Sequence, residues 1–252
     1  MNYIKIEKKE SGIAILSLNR PEVHNSFSRE LLKQFSESLD ILAKDKTVRV
    51  LILTGVGEKS FSSGVDLKVL QNFQSIEEAR EYALLLEGTS EDLFNFPRPV
   101  ISAINGYALG GGLGYAASTD YRIASERATM GFPAVRLGAI LPVTCTLYMT
   151  NIIGITHTRD MLLTGRVLKA DEALKFNLVN KVVPHQDLMK EAIKVAEMML
   201  KGTDMALYYT KKTLNSLLSK DIEAQKLYAA DNFAFLSQTK EWKERIQNFG
   251  KK

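Results

Sequence analysis

Residues 104–120 read Ile-Asn-Gly-Tyr-Ala-Leu-Gly-Gly-Gly-Leu-Gly-Tyr-Ala-Ala-Ser-Thr-Asp, and no other stretch restricts the chain as much. The apolar residues 100–104 lead in as a short buried strand. Gly106, the triplet Gly110, Gly111 and Gly112, and then Gly114 follow, before a helix-compatible run of small residues. Glycine allows backbone shapes closed to other residues and lets another molecule approach the main chain. A glycine triplet ahead of a helix exposes unpaired N–H groups, and the helix dipole adds partial positive charge. Such a turn suits an oxyanion. A flexible loop or a close helix–strand packing point is the competing reading. Two phosphate-loop patterns fail. G-x-G-x-x-G would need glycine where Tyr115 stands, and no G-K-[ST] occurs.

The rest of the chain alternates strand and helix patterns as far as residue 183. Residues 3–7 alternate, Gly12 turns the chain, and residues 13–18 return as a hairpin partner. Ser28 is placed to cap a helix carrying Leu31, Leu32, Phe35, Leu39 and Leu42 at helical spacing. Residues 48–53 form a continuous apolar run, as in a strand buried on both faces. Residues 76–93 are helical, stopped by Pro97 and Pro99. Residues 121–124 predict a strand, 126–133 a strand and turn, 143–153 a helix, 170–176 a short helix and 178–183 a last strand. From 187 to 247 the pattern is helical, broken near Gly202 and Lys220-Asp221. Alternation followed by helices alone predicts an α/β core with a helical C-terminal region.

Charge and cysteine content exclude several classes. The net charge of +4 is spread along the chain, which suits a small anionic ligand and does not argue for nucleic acid. A single cysteine, Cys145, permits no intrachain disulfide and fits a reducing cytoplasm. With three scattered histidines it makes no metal cluster, and a buried inert thiol is the preferred reading over a Cys–His pair. The charged N-terminus is not a signal peptide, and no apolar run approaches the ~20 residues of a membrane span.

Two glycine-containing strand-to-helix turns stand in order, at Ser62-Ser63-Gly64-Val65-Asp66-Leu67 and at Gly110-Gly111-Gly112. Asn19-Arg20-Pro21 precedes them. Leu-Thr-Gly-Arg at 163–166, Ala-Asp-Glu-Ala-Leu at 170–174 and Leu-Val-Asn-Lys-Val-Val-Pro at 178–184 follow. From about residue 3 to 249 the chain resembles the crotonase (enoyl-CoA hydratase/isomerase) superfamily.

The resemblance implies an α/β, ClpP-like spiral of ββα units with small perpendicular sheets over residues 1–185. Residues 186–252 would form a helical region that trimerises, and trimers often pair into hexamers. The implied ligand is an acyl-CoA thioester, used as substrate, with no metal or redox cofactor. Its thioester oxygen would be held by the N–H groups of Val65 and Gly111. CoA contacts are implied at Glu22, Val23 and His24, and along Ser63, Val65, Asp66, Leu67 and Lys68. Glu22 stands where relatives often carry a basic residue. Phe249 and Lys252 resemble an aromatic–basic pair that reaches CoA in some relatives, against the alternative of a solvated charged tail.

Chemistry in the resembled family is chosen by side chains around the oxyanion hole. A hydratase uses two glutamates, one for water and one for the α-carbon. Gly114 and Ala134 stand at those two positions, and neither transfers a proton. Around 140–143, where some isomerases place an aspartate, there is none. Glu87 and Glu91, spaced i,i+4, are candidate substitutes, with a solvated helix face as the alternative. Asp66 lies beside the hole but is usually structural. Two further readings need no carboxylate: decarboxylation through the hole alone, and an inactive acyl-CoA binder whose pocket is shaped by Tyr115 and Arg136. A serine hydrolase would need His157 or His185 within reach of Ser62 or Ser63.

Overall fold

The computed structural model describes residues 2–218 and 222–248. Two sheets organise the chain. The larger is built from β1 (Ile4–Lys8), β2 (Ile13–Leu18), β3 (Val50–Gly55), β5 (Val100–Ile104), β7 (Tyr121–Ser125) and β10 (Lys181–Val183), in that spatial order. Its β1–β2 pair is an antiparallel hairpin and the other pairings are parallel. The smaller sheet orders β4 (Ser60–Ser62), β6 (Tyr107–Leu109), β8 (Thr129–Gly131) and β9 (Val167–Lys169). Large-sheet strands β3, β5 and β7 are each followed in sequence by a small-sheet strand and then by helix. This is a ββα unit used three times.

The strand sequences explain the layering. Side chains alternate between faces along a strand. Ala14, Leu16 and Leu18 join the main core. Ile13 and Ile15 point the other way, with Val50, Ile52, Ile101 and Ile123. That second face is covered by Leu188, Ala192, Val195 and Ala196 of a helix at Leu188–Met199. Although this helix lies beyond residue 185, it belongs to the core.

Helix α1 (Arg29–Lys44) begins as predicted, with Ser28 Oγ accepting the Leu31 N–H at 3.1 Å. Asp66 caps α2 (Leu67–Gln71), and Ser75 caps α3 (Ile76–Phe94). Next come α4 (Gly111–Ala117), α5 (Val143–Thr164), α6 (Ala170–Lys175) and α7, the Leu188–Met199 helix. The chain continues through α8 (Asp204–Ser216), α9 (Ile222–Ser237) and α10 (Lys240–Asn248). Helix α9 packs along α3, and α10 against α2.

Three expectations are corrected. The helix expected over 143–153 continues to Thr164 across a kink at Gly154, whose φ of 72° breaks the ladder without ending the element. The strand expected over 178–183 is confined to 181–183, because Leu178 N–H turns back to the Ala173 carbonyl and Leu178 O accepts from buried Arg122. The run at 48–53 pairs two residues later than its hydropathy suggests. Lys220, Asp221, Phe249 and Lys252 lie outside the described residues. Among those described, no helix is long and apolar enough to cross a membrane.

Candidate functional site

The site is built where the strand–turn–helix after β4 meets the one after β6. Ser62 is buried, and its Oγ donates to Asn25 O at 2.8 Å while accepting the Gly64 N–H at 3.1 Å. Residues 64–66 are then pinned to residue 27. Phe27 N–H donates to Gly64 O at 2.7 Å, and Asp66 N–H donates to Phe27 O at 3.1 Å. Arg20 holds the Asp66 carboxylate at 2.9 Å and also donates to Ser26 O. Asp66 Oδ1 accepts the Lys68 N–H. Asp66 therefore anchors the turn, and its carboxylate is already engaged on both oxygens.

Gly64 has φ +85°, and a Cβ there would come within 2.8 Å of Gly111 N and 2.6 Å of Leu109 O. Only glycine satisfies both the backbone shape and this closeness. Gly111 is the first residue of α4, so its N–H has no acceptor within the helix. Among the described residues neither the Val65 N–H nor the Gly111 N–H has a hydrogen-bond acceptor. Two fixed donors on adjoining turns can take one oxygen that gains charge during a reaction.

The segments expected to touch CoA come together on one side of this turn. Glu22 and Val23 lie in a short 3-10 turn, and His24 ends it with φ 55°. His24 O accepts the Ser63 N–H and the Ser60 hydroxyl, both at 2.9 Å. Glu22, His24 and Lys68 are exposed, Ser63 is half-buried, and Leu67 packs on the core.

Position 114 offers no room for a carboxylate. A Cβ on Gly114 would overlap Cys145 Sγ, come within 2.8 Å of Cys145 Cβ, and lie 3.7 Å from Leu141 Cδ1. Cys145 is buried against Ser90, and burial pushes its thiol up to about 12. Ala134 is half-buried in a 3-10 turn over Pro133–Leu137.

Glu87 is not on a solvated helix face. It is 1% exposed. Its Oε1 accepts the Val143 N–H at 2.6 Å, and its Oε2 accepts the Thr144 N–H at 3.1 Å and the Thr144 hydroxyl at 2.6 Å. A glutamate of α3 thus caps α5. Burial raises its pKa, while the three donors and the Lys226 charge oppose that rise. Glu91, one turn on, is ion-paired with Lys226 instead. It lines a separate cavity of about 370 Å³ with Tyr148 and Tyr208.

Two other expected pocket groups are elsewhere. The Tyr115 ring lies in the core against Phe27 and Phe35, its hydroxyl bonded to Thr89. The exposed Arg136 guanidinium donates to Thr164 O. The serine hydrolase arrangement does not form either. His157 stacks on Phe176 at 3.9 Å and His185 bonds Ser125 at 3.0 Å, while the Ser62 hydroxyl is spent on Asn25 O.

Residues 8–252 match the family model described as enoyl-CoA hydratase/isomerase. The chain belongs to this family. It is 34% identical over 244 residues to a crotonyl-CoA hydratase of Syntrophomonas wolfei, covering 97% of this chain and 94% of the relative. It is 33% identical over 249 residues to a short-chain-enoyl-CoA hydratase of Clostridium acetobutylicum, covering 99% and 95%. Among solved structures, human mitochondrial delta3-delta2-enoyl-CoA isomerase superposes with a TM-score of 0.92 at 26% identity, over 98% of this chain and 96% of that one. The hydratase/isomerase family membership makes the chain an α/β crotonase-fold enzyme. Sequence reasoning missed two parts of the site. Arg20 was visible only as the centre of Asn-Arg-Pro, and nothing in the sequence marks Cys145 as the side chain that fills the space beside Gly114.

Proposed function

We propose that this family member binds an acyl-CoA thioester and stabilises its enolate through the Val65 and Gly111 N–H groups. One observation carries the reading. These two N–H groups sit on adjoining turns, held there by the Gly64 and Phe27 contacts and left without an internal acceptor. Developing oxygen charge is what such preorganised donors stabilise. The substrate is the CoA ester itself, and the reaction needs no metal or redox cofactor. Glu22, Val23, His24, Ser63 and Lys68 line the side on which CoA would lie. A homotrimer, or a hexamer formed from two trimers, working in the cytoplasm on fatty acyl chains, completes the proposal.

The two-carboxylate form of hydration does not fit positions 114 and 134. Gly114 faces Cys145 and Leu141, and Ala134 has no ionisable group. Crotonyl-CoA hydration, followed by absorbance alongside acyl-CoA binding by calorimetry, tests the reading. The expected outcome is binding with slow hydration. Fast hydration would reverse the inference from Gly114 and Ala134, and no binding would remove the acyl-CoA assignment.

Val65→Pro tests the donor itself. The substitution deletes the Val65 N–H, while the flanking Phe27–Gly64 and Asp66–Phe27 hydrogen bonds do not use that group. Loss of one such donor costs about 3–4 kcal/mol of barrier, or roughly 10²–10³ in turnover. Turnover unchanged in a folded variant would exclude Val65 from the hole.

A further inference from the structure

Resting on the acyl-CoA reading above, we infer that Glu87 is the proton-transfer residue of this site, acting from α3 in place of the carboxylates missing at 114 and 134. Glu87 lines a crevice of about 10 Å³ whose other walls are Ala83, Leu86, Ile140, Leu141, Pro142 and Phe233. Leu141 joins this crevice to the oxyanion side, because its Cδ1 lies 3.7 Å from where a Gly114 side chain would begin. Gly114 is three residues along α4 from Gly111, one helical turn from the proposed donor. Thr144 binds the Glu87 carboxylate, and its neighbour Cys145 packs against Gly114. The carboxylate therefore adjoins Thr144, whose neighbour Cys145 lies where a side chain at 114 would point.

Capping α5 explains three hydrogen bonds, but a neutral acceptor would make them without burying a charge. A carboxylate has about four acceptor positions, and three are used here. Oε1, which accepts only from Val143, keeps one for a proton. The groups around it divide clearly. From α5 it meets Thr144, Cys145 and Tyr148, all buried, and from α9 the Lys226 ammonium. Its own helix adds Glu91, which is paired with Lys226.

One carboxylate shuttling one proton suits a 1,3-shift better than water addition. Glu87 takes a proton from the carbon beside the thioester carbonyl of a 3-enoyl-CoA, and the C–H electron pair passes into a dienolate. The negative oxygen rests on the Val65 and Gly111 N–H groups. The Glu87 carboxyl then returns that proton two carbons further on, the double bond moves from C3–C4 to C2–C3, and the carbonyl re-forms. No atom is gained or lost.

The test uses trans-3-hexenoyl-CoA with the wild type, Glu87→Gln and Thr144→Val. The wild type is expected to isomerise it, and Glu87→Gln to lose about 10²–10⁴-fold in kcat with acyl-CoA affinity kept. Thr144→Val removes a hydrogen bond that favours the charged carboxylate, so the acid limb of its kcat/KM profile should move to higher pH. A purely capping Glu87 would leave that limb unmoved. Turnover retained in folded Glu87→Gln, an acid limb unchanged in Thr144→Val, or wild-type binding without isomerisation each overturns the assignment. If Glu87→Gln does not fold, the Thr144→Val profile decides alone. Failure of the wild type to bind any acyl-CoA instead overturns the acyl-CoA reading on which this one rests.

Discussion

Two buried titratable side chains face each other between α3 and α5, and both have values raised by desolvation. Cys145 is held at about 12, so at neutral pH it is a thiol with little nucleophilic character. We expect iodoacetamide to alkylate it far more slowly in the native protein than in denaturant, measured by mass spectrometry over time. Comparable rates would contradict the packing against Gly114. For Glu87 the sign follows from linkage. A carboxyl raised above its ordinary 4.5 contributes stability that is complete below the unfolded value and is lost as pH rises through the native value. The melting-temperature advantage of wild type over Glu87→Gln should therefore shrink as pH is raised above the ordinary carboxylate range. The i,i+4 spacing of Glu87 and Glu91 was visible in the sequence. Their different fates were not, because they depend on where α5 and α9 pack.

At the scale of elements, the long pieces were legible and the short ones were not. Helices α1 and α3 declare themselves through serine caps and helical apolar spacing. Large-sheet strands β2, β3 and β5 declare themselves as apolar runs. The small sheet consists of three-residue strands, too short for any periodicity to develop. Yet those strands set the turns that carry Val65 and Gly111. The α4–α5 contact is equally silent in sequence, and it decides position 114. Gly114→Ala should cost about 1–3 kcal/mol by overpacking against Cys145, and adding Cys145→Gly should recover part of that. Urea unfolding of the single and double variants would measure both. If the two changes simply add, the contact is not the cause.

Over the whole molecule, the C-terminal helices leave apolar side chains on the surface of the chain. Leu217 is 74% exposed and Leu214 59%, with Met205 and Tyr209 on the same helical segment. Contiguous apolar surface is what subunit contacts cover, and Leu214 and Leu217 lie one helical turn apart. Assembly into the proposed trimer or hexamer predicts a mass near three or six times 28.2 kDa by light scattering. Leu214→Asp with Leu217→Asp should lower that mass toward the monomer. A monomeric wild type would remove the assembly proposal.

By itself the sequence determined the order of the long strands and helices, the two glycine turns, and that positions 114 and 134 carry no carboxylate. Those properties are local: caps, apolar periodicity and residue identity act within a few positions of the chain. Only the tertiary structure decided that Gly64 lies against Gly111, that Cys145 closes the space at Gly114 and that Glu87 is buried under α5. Each of these joins residues 31 to 57 positions apart. Such contacts arise from how layers pack, and no short window of sequence contains them.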